Sequence, residues 1–556
     1  MNIDTKATWK RFFGLFQLER KDIYQIFYYA IFAGLVSLSL PLGVQAIINL
    51  IQGAQISSSW IILVVLVTLG VTFAGALQIM QMRIIETLQQ RIFTRSSFEL
   101  TYRFPKFRMS QLRNLYPPEL ANRFFDTLTI QKGLSKILID VPSALIQIVF
   151  ALLLLSFYHP FFIFFGLSLL SLMFFVFRYT VKRGLETSIV ESKYKYKVAH
   201  WIQEVARSII SFKLSAETDL GLRKNDELVC EYLKARETHF QVVKLQYIKM
   251  IAFKVAVTAG LLVIGGALVL NQQMNIGQFV AAEIVILLVI ASVEKLIISL
   301  DTLYDMLTSI EKLGEVLDLK IESKEGKKPV YSGPFTLELK EVGYRVEDRE
   351  KPILFGINLT FEPSKIYLLK GPSGSGKSSL LRVIAGISTP TSGAVYVNDQ
   401  NLKSIQLNHY RTHLGLSLSE QTPFEGSIRE NLVFNKTDVT DKQLFEIIDI
   451  VGLSEFVKDQ PQSLQTIIQA EGRHISYTVS KKLMLARAIL KNPKVLILED
   501  PLDQFSLDES KRVIDYLCDP KHSWTLIVVS DNNYWDPKCN HLIELKEGTI
   551  HQIKSN

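Results

Sequence analysis

The chain has 556 residues, too many for one ordinary domain, and 48% of them are hydrophobic, a share unusual for a soluble protein. Its three cysteines (Cys230, Cys518, Cys539) lie far apart and form no C-x-x-C pair, which argues against a disulfide framework or a zinc site and fits a reducing compartment. A net charge of +8 raises nucleic acid as a partner, but the way that charge is spread argues against one.

The chain opens on a mixed, basic stretch. The apolar run after it is too long for the core of a signal peptide and is followed by no small-residue cleavage site. Met1-Asn2 lacks the glycine that myristoylation needs. Apolar runs then recur at 22–48, 59–82, 136–157, 161–182, 247–270 and 277–300. Each offers about 20 residues of low charge, the length that a hydrocarbon core about 30 Å thick requires. The short connections 52–58, 158–160 and 271–277 contain no Lys or Arg, whereas 83–135 contains nine and 183–246 is similarly basic. Positive residues stay on the cytoplasmic side, so both termini and both long loops are expected inside a plasma or inner membrane. The basic balance is a topology signal, and no nucleic acid is expected.

Helical spacing over 83–102 and 120–136 predicts that the spans continue as helices beyond the bilayer. Pro117-Pro118 marks a turn region where a short transverse helix can begin. In the sixth run Glu283 and Glu294 are eleven residues apart, three turns plus about 20°, and so share a helix face. Lys254 lies at a depth comparable to Glu294 and is expected to pair with it, leaving Glu283 to line a path. Phe161, Phe162, Phe164, Phe165, Phe174, Phe175 and Phe177 read as packing or lipid-facing residues. The organisation expected is a six-span helical domain over 1–312 and a polar, breaker-rich linker over 313–334. An α/β domain with a largely parallel sheet follows over 335–556.

The most informative stretch is Gly371-Pro372-Ser373-Gly374-Ser375-Gly376-Lys377-Ser378, which fits G-x-x-x-x-G-K-[ST]. It follows the strand-like Ile366-Tyr367-Leu368-Leu369 and opens a helix at Ser379, the context a phosphate-binding loop requires. The glycines let backbone N–H groups close on phosphate oxygens at a helix N-terminus. Lys377 is placed to reach the β- and γ-phosphates of ATP, and the Ser378 hydroxyl to take one position on Mg²⁺.

Six spans with long inner loops, followed by this domain, resemble a half-size ABC exporter. In the ATP-binding half the resemblance rests on the order 371–378, Gly426-Ser427-Ile428-Arg429-Glu430-Asn431-Leu432, Leu485-Ala486-Arg487-Ala488-Ile489-Leu490 and Pro493–Leu498. In the membrane half, 121–139 and 277–300 are most similar to exporters of type I secretion and peptide export, some of which carry an N-terminal protease domain for which no room precedes the first span. The resemblance implies Glu499 on the Mg²⁺ hydration shell and Asp500 as the group that positions the attacking water. It also implies Ser476 as a donor to a γ-phosphate across a dimer. Coupling segments are implied at 115–130 and 201–222.

The family's other motifs are altered here. The adenine-stacking position holds Val346, with Tyr344 two residues earlier reading as a core aromatic. The Q-loop position holds Ser419, or Gln421 if the loop is two residues shorter. The signature reads Ile475-Ser476-Tyr477-Thr478-Val479, with side chains where the family has two glycines, and Asp531 replaces the switch histidine. The usual Asp-Glu pair is inverted as Glu499-Asp500, which shortens the catalytic side chain by one methylene. The resemblance therefore implies an ATP-binding exporter subunit with weak hydrolysis, moving a peptide, protein or amphipathic substrate. The alternative is a non-hydrolysing subunit with a regulatory or structural role. Implied partners are a second half-transporter, as a heterodimer or homodimer, membrane lipid and a periplasmic adaptor protein.

Overall fold

The computed structural model describes residues 5–52, 58–113, 115–347, 349–434 and 438–555. Most of the expected outer connection 52–58 lies outside them. The chain divides into two compact units, Met1–Lys106 with Leu112–Leu319, and Phe107–Gln111 with Lys320–Asn556.

The first unit is helical. Among the described residues five helical segments are long and apolar enough to cross a membrane: Arg20–Gln52, Ser58–Lys106, Pro117–Tyr158, Leu220–Leu270 and Ile276–Leu317. The fourth apolar run begins the helix Phe161–Arg207. The helix Ser58–Arg103 has 46 residues, about 70 Å at 1.5 Å per residue, more than twice a hydrocarbon core. The spans thus run on as helices well past their apolar parts. Pro117 starts the short helix Pro117–Asn122, where a missing N–H costs nothing. The first run is broken at Leu38 into Arg20–Ser37 and Ser39–Gln52.

Ile276–Leu317 is the axis of this unit. A reciprocal Asn275–Gln278 capping box opens it, and Ala281, Ala282, Val285, Ile286, Val289 and Ile290 are buried along it. Gly184 gives the Tyr304 ring its space, since a Cβ there would lie 2.3 Å from the ring. The helix continues to Leu317, through the first residues of the expected linker, because Leu313 and Val316 are still buried. Glu283 and Glu294 are both half-buried, but the expected pair fails: Lys254 is exposed, and no ion pair joins it to Glu294 among the described residues. Equal depth placed the two residues on one level, while helix rotation turned the lysine outward. Phe162 is buried, and Phe164 and Phe174 are exposed. The side chains of Phe165, Phe175 and Phe177 lie outside the described residues.

The second unit is α/β. Its six-stranded sheet runs in the order Thr549–Ser555, His541–Lys546, Ile366–Lys370, Thr525–Val529, Val495–Glu499, Leu414–Ser417, and all neighbours but the first pair are parallel. A separate antiparallel sheet (Leu354–Phe361, Leu337–Tyr344, Ser392–Val397, Gln400–Asn401) was not legible in the strand pattern. The strand period of two explains the layering. Tyr367, Leu369, Val495 and Ile497 face a core shared with the antiparallel sheet and the helix Lys377–Ile384. Leu368, Leu496 and Leu498 face a second core under the helices Tyr477–Leu490 and Leu507–Leu517.

The rest of the expected linker is fastened to this unit. Arg411 grips Glu322 through two 2.7 Å contacts, and Lys327 pairs with Ile405 as a parallel bridge. Phe107, from the first long loop, bridges Ile321.

Candidate nucleotide site

Parallel pairing brings the carboxyl ends of four strands to one edge, the usual site of ligands in open α/β sheets. Val529 stands beside Glu499, and Ser417 beside Leu498. The loop after Lys370 joins them, and each strand delivers a different part of the site.

The loop 371–376 ends on Gly376 at φ +100°, which caps the helix Lys377–Ile384 without a side-chain hydrogen bond. The first N–H groups of that helix are left for a ligand. Gly371 (φ +149°) is forced twice over: its backbone is in a glycine-only region, and a Cβ would lie 2.2 Å from the Leu545 carbonyl oxygen. Gly374 is also at positive φ, +81°, in open space. The Lys377 ammonium donates to the carbonyls of Gly371 (2.6 Å) and Pro372 (3.1 Å), so it folds over the loop, and no carboxylate among the described residues forms an ion pair with it. The Ser375 hydroxyl is buried and has no hydrogen-bond partner among the described residues.

Glu499 ends its strand almost fully buried. Ser419 donates to its Oε2 from both N–H (3.0 Å) and Oγ (2.9 Å), and Ser378 stands near enough to the same carboxylate to act on its pKa. Burial pushes this carboxyl up, but Ser378 and the hydrogen bonds from Ser419, with Arg382 nearby, hold it below the ordinary glutamate value. Asp500 follows at φ +43°, its N–H donating to the Val529 carbonyl at 2.9 Å. Burial raises its pKa, and the charges of Glu499 and Asp531 raise it further against the pull of Lys377. The two adjacent carboxylates therefore have opposite environments.

The Q-loop alternatives separate cleanly. Gln421 turns back on its own loop, with its N–H on the Leu418 carbonyl at 3.1 Å, while Ser419 holds Glu499. Glu420, between them, forms an ion pair with Arg382 of the phosphate helix. Tyr344 ends its strand and packs against the core, and Val346 lies past the strand's end, so the two do not share a strand face. Nothing in the sequence singled out the Ser419–Glu499 contact, because it joins residues 80 apart.

Ser476 is the N-cap of Tyr477–Leu490, accepting from the Val479 N–H at 3.2 Å. Among the described residues no hydrogen bond joins it to the loop 371–379 of its own chain. Tyr477, at the first signature glycine position, is half-exposed. Behind it Arg487 donates to the Asn431 carbonyl (2.6 Å) and side chain (3.0 Å), and burial takes its pKa down to about 10. Asn431 in turn donates to the Phe424 carbonyl at 2.9 Å, which fixes the segment after the Q-loop.

These residues fit a triphosphate with a divalent cation. The glycine cradle has no room for side chains at Gly371, the Ser375 hydroxyl is unspent, and Ser378 and Glu499 form an oxygen donor set suited to Mg²⁺. Residues 354–503 match the family model described as ABC transporter. Over 204 residues the chain is 31% identical to the "ABC multidrug transporter MDR2" of Trichophyton rubrum, covering 36% of this chain but 15% of that protein. It is 27% identical over 259 residues to the "Probable microcin-H47 secretion/processing ATP-binding protein MchF" of Escherichia coli, covering 45% of this chain and 36% of that one. The chain thus spans well under half the length of these relatives. In fold it is similar to the "Structure of a bacterial Atm1-family ABC exporter with ATP bound", with TM-score 0.83, 15% identity, and 96% of this chain and 95% of that one covered. Residues 354–503 therefore belong to the ABC transporter family, and the chain that carries them has the fold of an ABC exporter half-transporter.

Proposed function

We propose that this protein is a membrane-embedded exporter subunit that binds Mg-ATP at 371–379 with Ser378 and Glu499, and hydrolyses it slowly. The observation that carries this reading is the pairing of a close-packed glycine cradle with a buried, hydrogen-bonded Glu499 on the same sheet edge. Backbone N–H groups of the loop and the Lys377 ammonium bind phosphate oxygens. Ser378 and Glu499 hold the cation, and Asp500 orients a water and accepts its proton. ATP supplies the binding energy that draws two such domains together, with Ser476 donating into the partner's site. Asp500 is one methylene short for its task, and a displacement of about 1 Å can cost on the order of 10²-fold in rate.

The substrate is a peptide, protein or amphipathic molecule. One relative's name refers to multidrug transport and another's to microcin secretion, in keeping with that breadth. The protein works beside a second half-transporter in the plasma or inner membrane, both termini inside, with a periplasmic adaptor where secretion requires one. Exposed Ile210, Leu214 and Leu222 in the second long loop support a partner domain there. A heterodimer is favoured, because this chain's alterations fall on both halves of a shared site.

A second reading is a subunit that binds ATP without turnover, favoured by Asp531, whose charge acts on Asp500 where an imidazole would donate. Phosphate release by the purified protein separates the two. Under the first reading Lys377→Ala abolishes release and Asp500→Glu raises it about tenfold. If neither variant departs from background, hydrolysis is not this subunit's task.

A further inference from the structure

We propose that Lys481 is a positioning residue for the metal carboxylate, coupling the helix Tyr477–Leu490 to Glu499 through Ser419 within one subunit; this rests on the nucleotide reading above. Lys481 is 4% exposed, yet no carboxylate lies within ion-pair distance of it among the described residues. Its neighbour Lys482 shows the usual solution, an ion pair with Glu509 at 2.6 Å. A buried ammonium is costly unless something answers it.

Two groups answer it. The Nζ donates to the Ser419 carbonyl at 3.4 Å and lies 5.3 Å from the centre of the Tyr477 ring. Tyr477 occupies a position where the family has glycine, one helical turn before the lysine, so its ring helps shelter the charge. Ser419 is thus held on one side by Lys481 at its carbonyl, and on the other it gives N–H and Oγ–H to Glu499. Three attachments fix one residue. Glu420 extends the bridge to Arg382 on the phosphate helix. A long side chain in the Q-loop is replaced by a short serine locked from behind. Displacement of the helix Tyr477–Leu490 is then felt at Glu499 without passing through a second subunit.

The test uses the full-length protein with two readouts, hydrogen exchange of the Ser419 segment without nucleotide, and ATP affinity in Mg²⁺ against EDTA. Lys481→Met keeps the stem and removes the charge. It is expected to speed Ser419 exchange and weaken Mg-ATP binding about tenfold while leaving affinity in EDTA unchanged. Lys481→Arg restores the Mg²⁺-dependent part, and Ser419→Ala reproduces the loss, with Lys481→Met adding nothing to it. Equal losses with and without Mg²⁺, unchanged exchange, or additive losses overturn the coupling. If Lys481→Met does not fold, Ser419→Ala carries the test, and wild-type Mg²⁺ dependence in that variant overturns the proposal. A wild-type protein that binds no nucleotide sinks the nucleotide reading instead, and leaves the exchange result to stand by itself.

Discussion

Gly371→Ala separates two contributions that glycine makes to the phosphate loop. At φ +149° a non-glycine residue is strained by about 1–3 kcal/mol. The new Cβ would also lie 2.2 Å from the Leu545 carbonyl oxygen, on the strand that ends the sheet's parallel run. Backbone cannot yield as a flexible side chain does, so the loop must part from the strand, adding about 1–3 kcal/mol of overpacking. Gly374→Ala is the internal control, since it carries the strain of φ +81° with no atom within 4 Å. For a unit of this size 1 kcal/mol shifts a melting midpoint by roughly 2–4 °C. Gly371→Ala should therefore lower the transition of the ATP-binding unit by on the order of 10 °C and Gly374→Ala by about half of that. Thermal unfolding of the full chain in detergent, with and without Mg-ATP, reads both. In Gly371→Ala the stabilisation by nucleotide should also vanish, because the displaced N–H groups no longer close on phosphate. Equal shifts for the two variants would show that the contact with Leu545 is not limiting, and refute the steric argument.

Asp500 offers a pH test. Its folded-state pKa is raised by burial and by Glu499 and Asp531, so the folded protein holds that proton more tightly than the unfolded chain does. Its ionisation then costs stability above the folded pKa, a cost that disappears as pH falls toward the unfolded value. Asp500→Asn should raise the apo melting temperature at pH 8 and leave it nearly unchanged at pH 4. A gain of the same size at both values would contradict the assignment. In the helical unit, Gly184→Ala forces a Cβ to within 2.3 Å of the Tyr304 ring and should cost about 1–3 kcal/mol. Tyr304→Leu should restore most of it, read by thermal unfolding in detergent, and a failure of the double variant to recover would place the strain elsewhere.

Much of the site was legible because it is local. The residues from Gly371 to Ser379 are consecutive, and their glycine spacing follows directly from what phosphate and backbone require of one another. The long apolar runs were legible for a similar reason, since span length is set by the bilayer and not by neighbours. The Lys254–Glu294 pair failed because depth along a helix can be counted from sequence, whereas the direction a side chain faces depends on which helix packs beside it. The antiparallel sheet was missed because its strands alternate much as the others do, and only their partners differ.

The sequence by itself determined the phosphate loop, the positions of the apolar helices and the altered residues at 346, 477–478, 500 and 531, all of which follow from covalent order and local chemistry. Tertiary structure alone decided that Ser419 and not Gln421 meets Glu499, that the linker is fastened through Glu322 and Arg411, and that Lys481 lies buried behind Ser419. Each of these joins residues 62 or more positions apart. The register of neighbouring parallel strands and the packing of helices on them set such distances, and neither can be read from one stretch of chain.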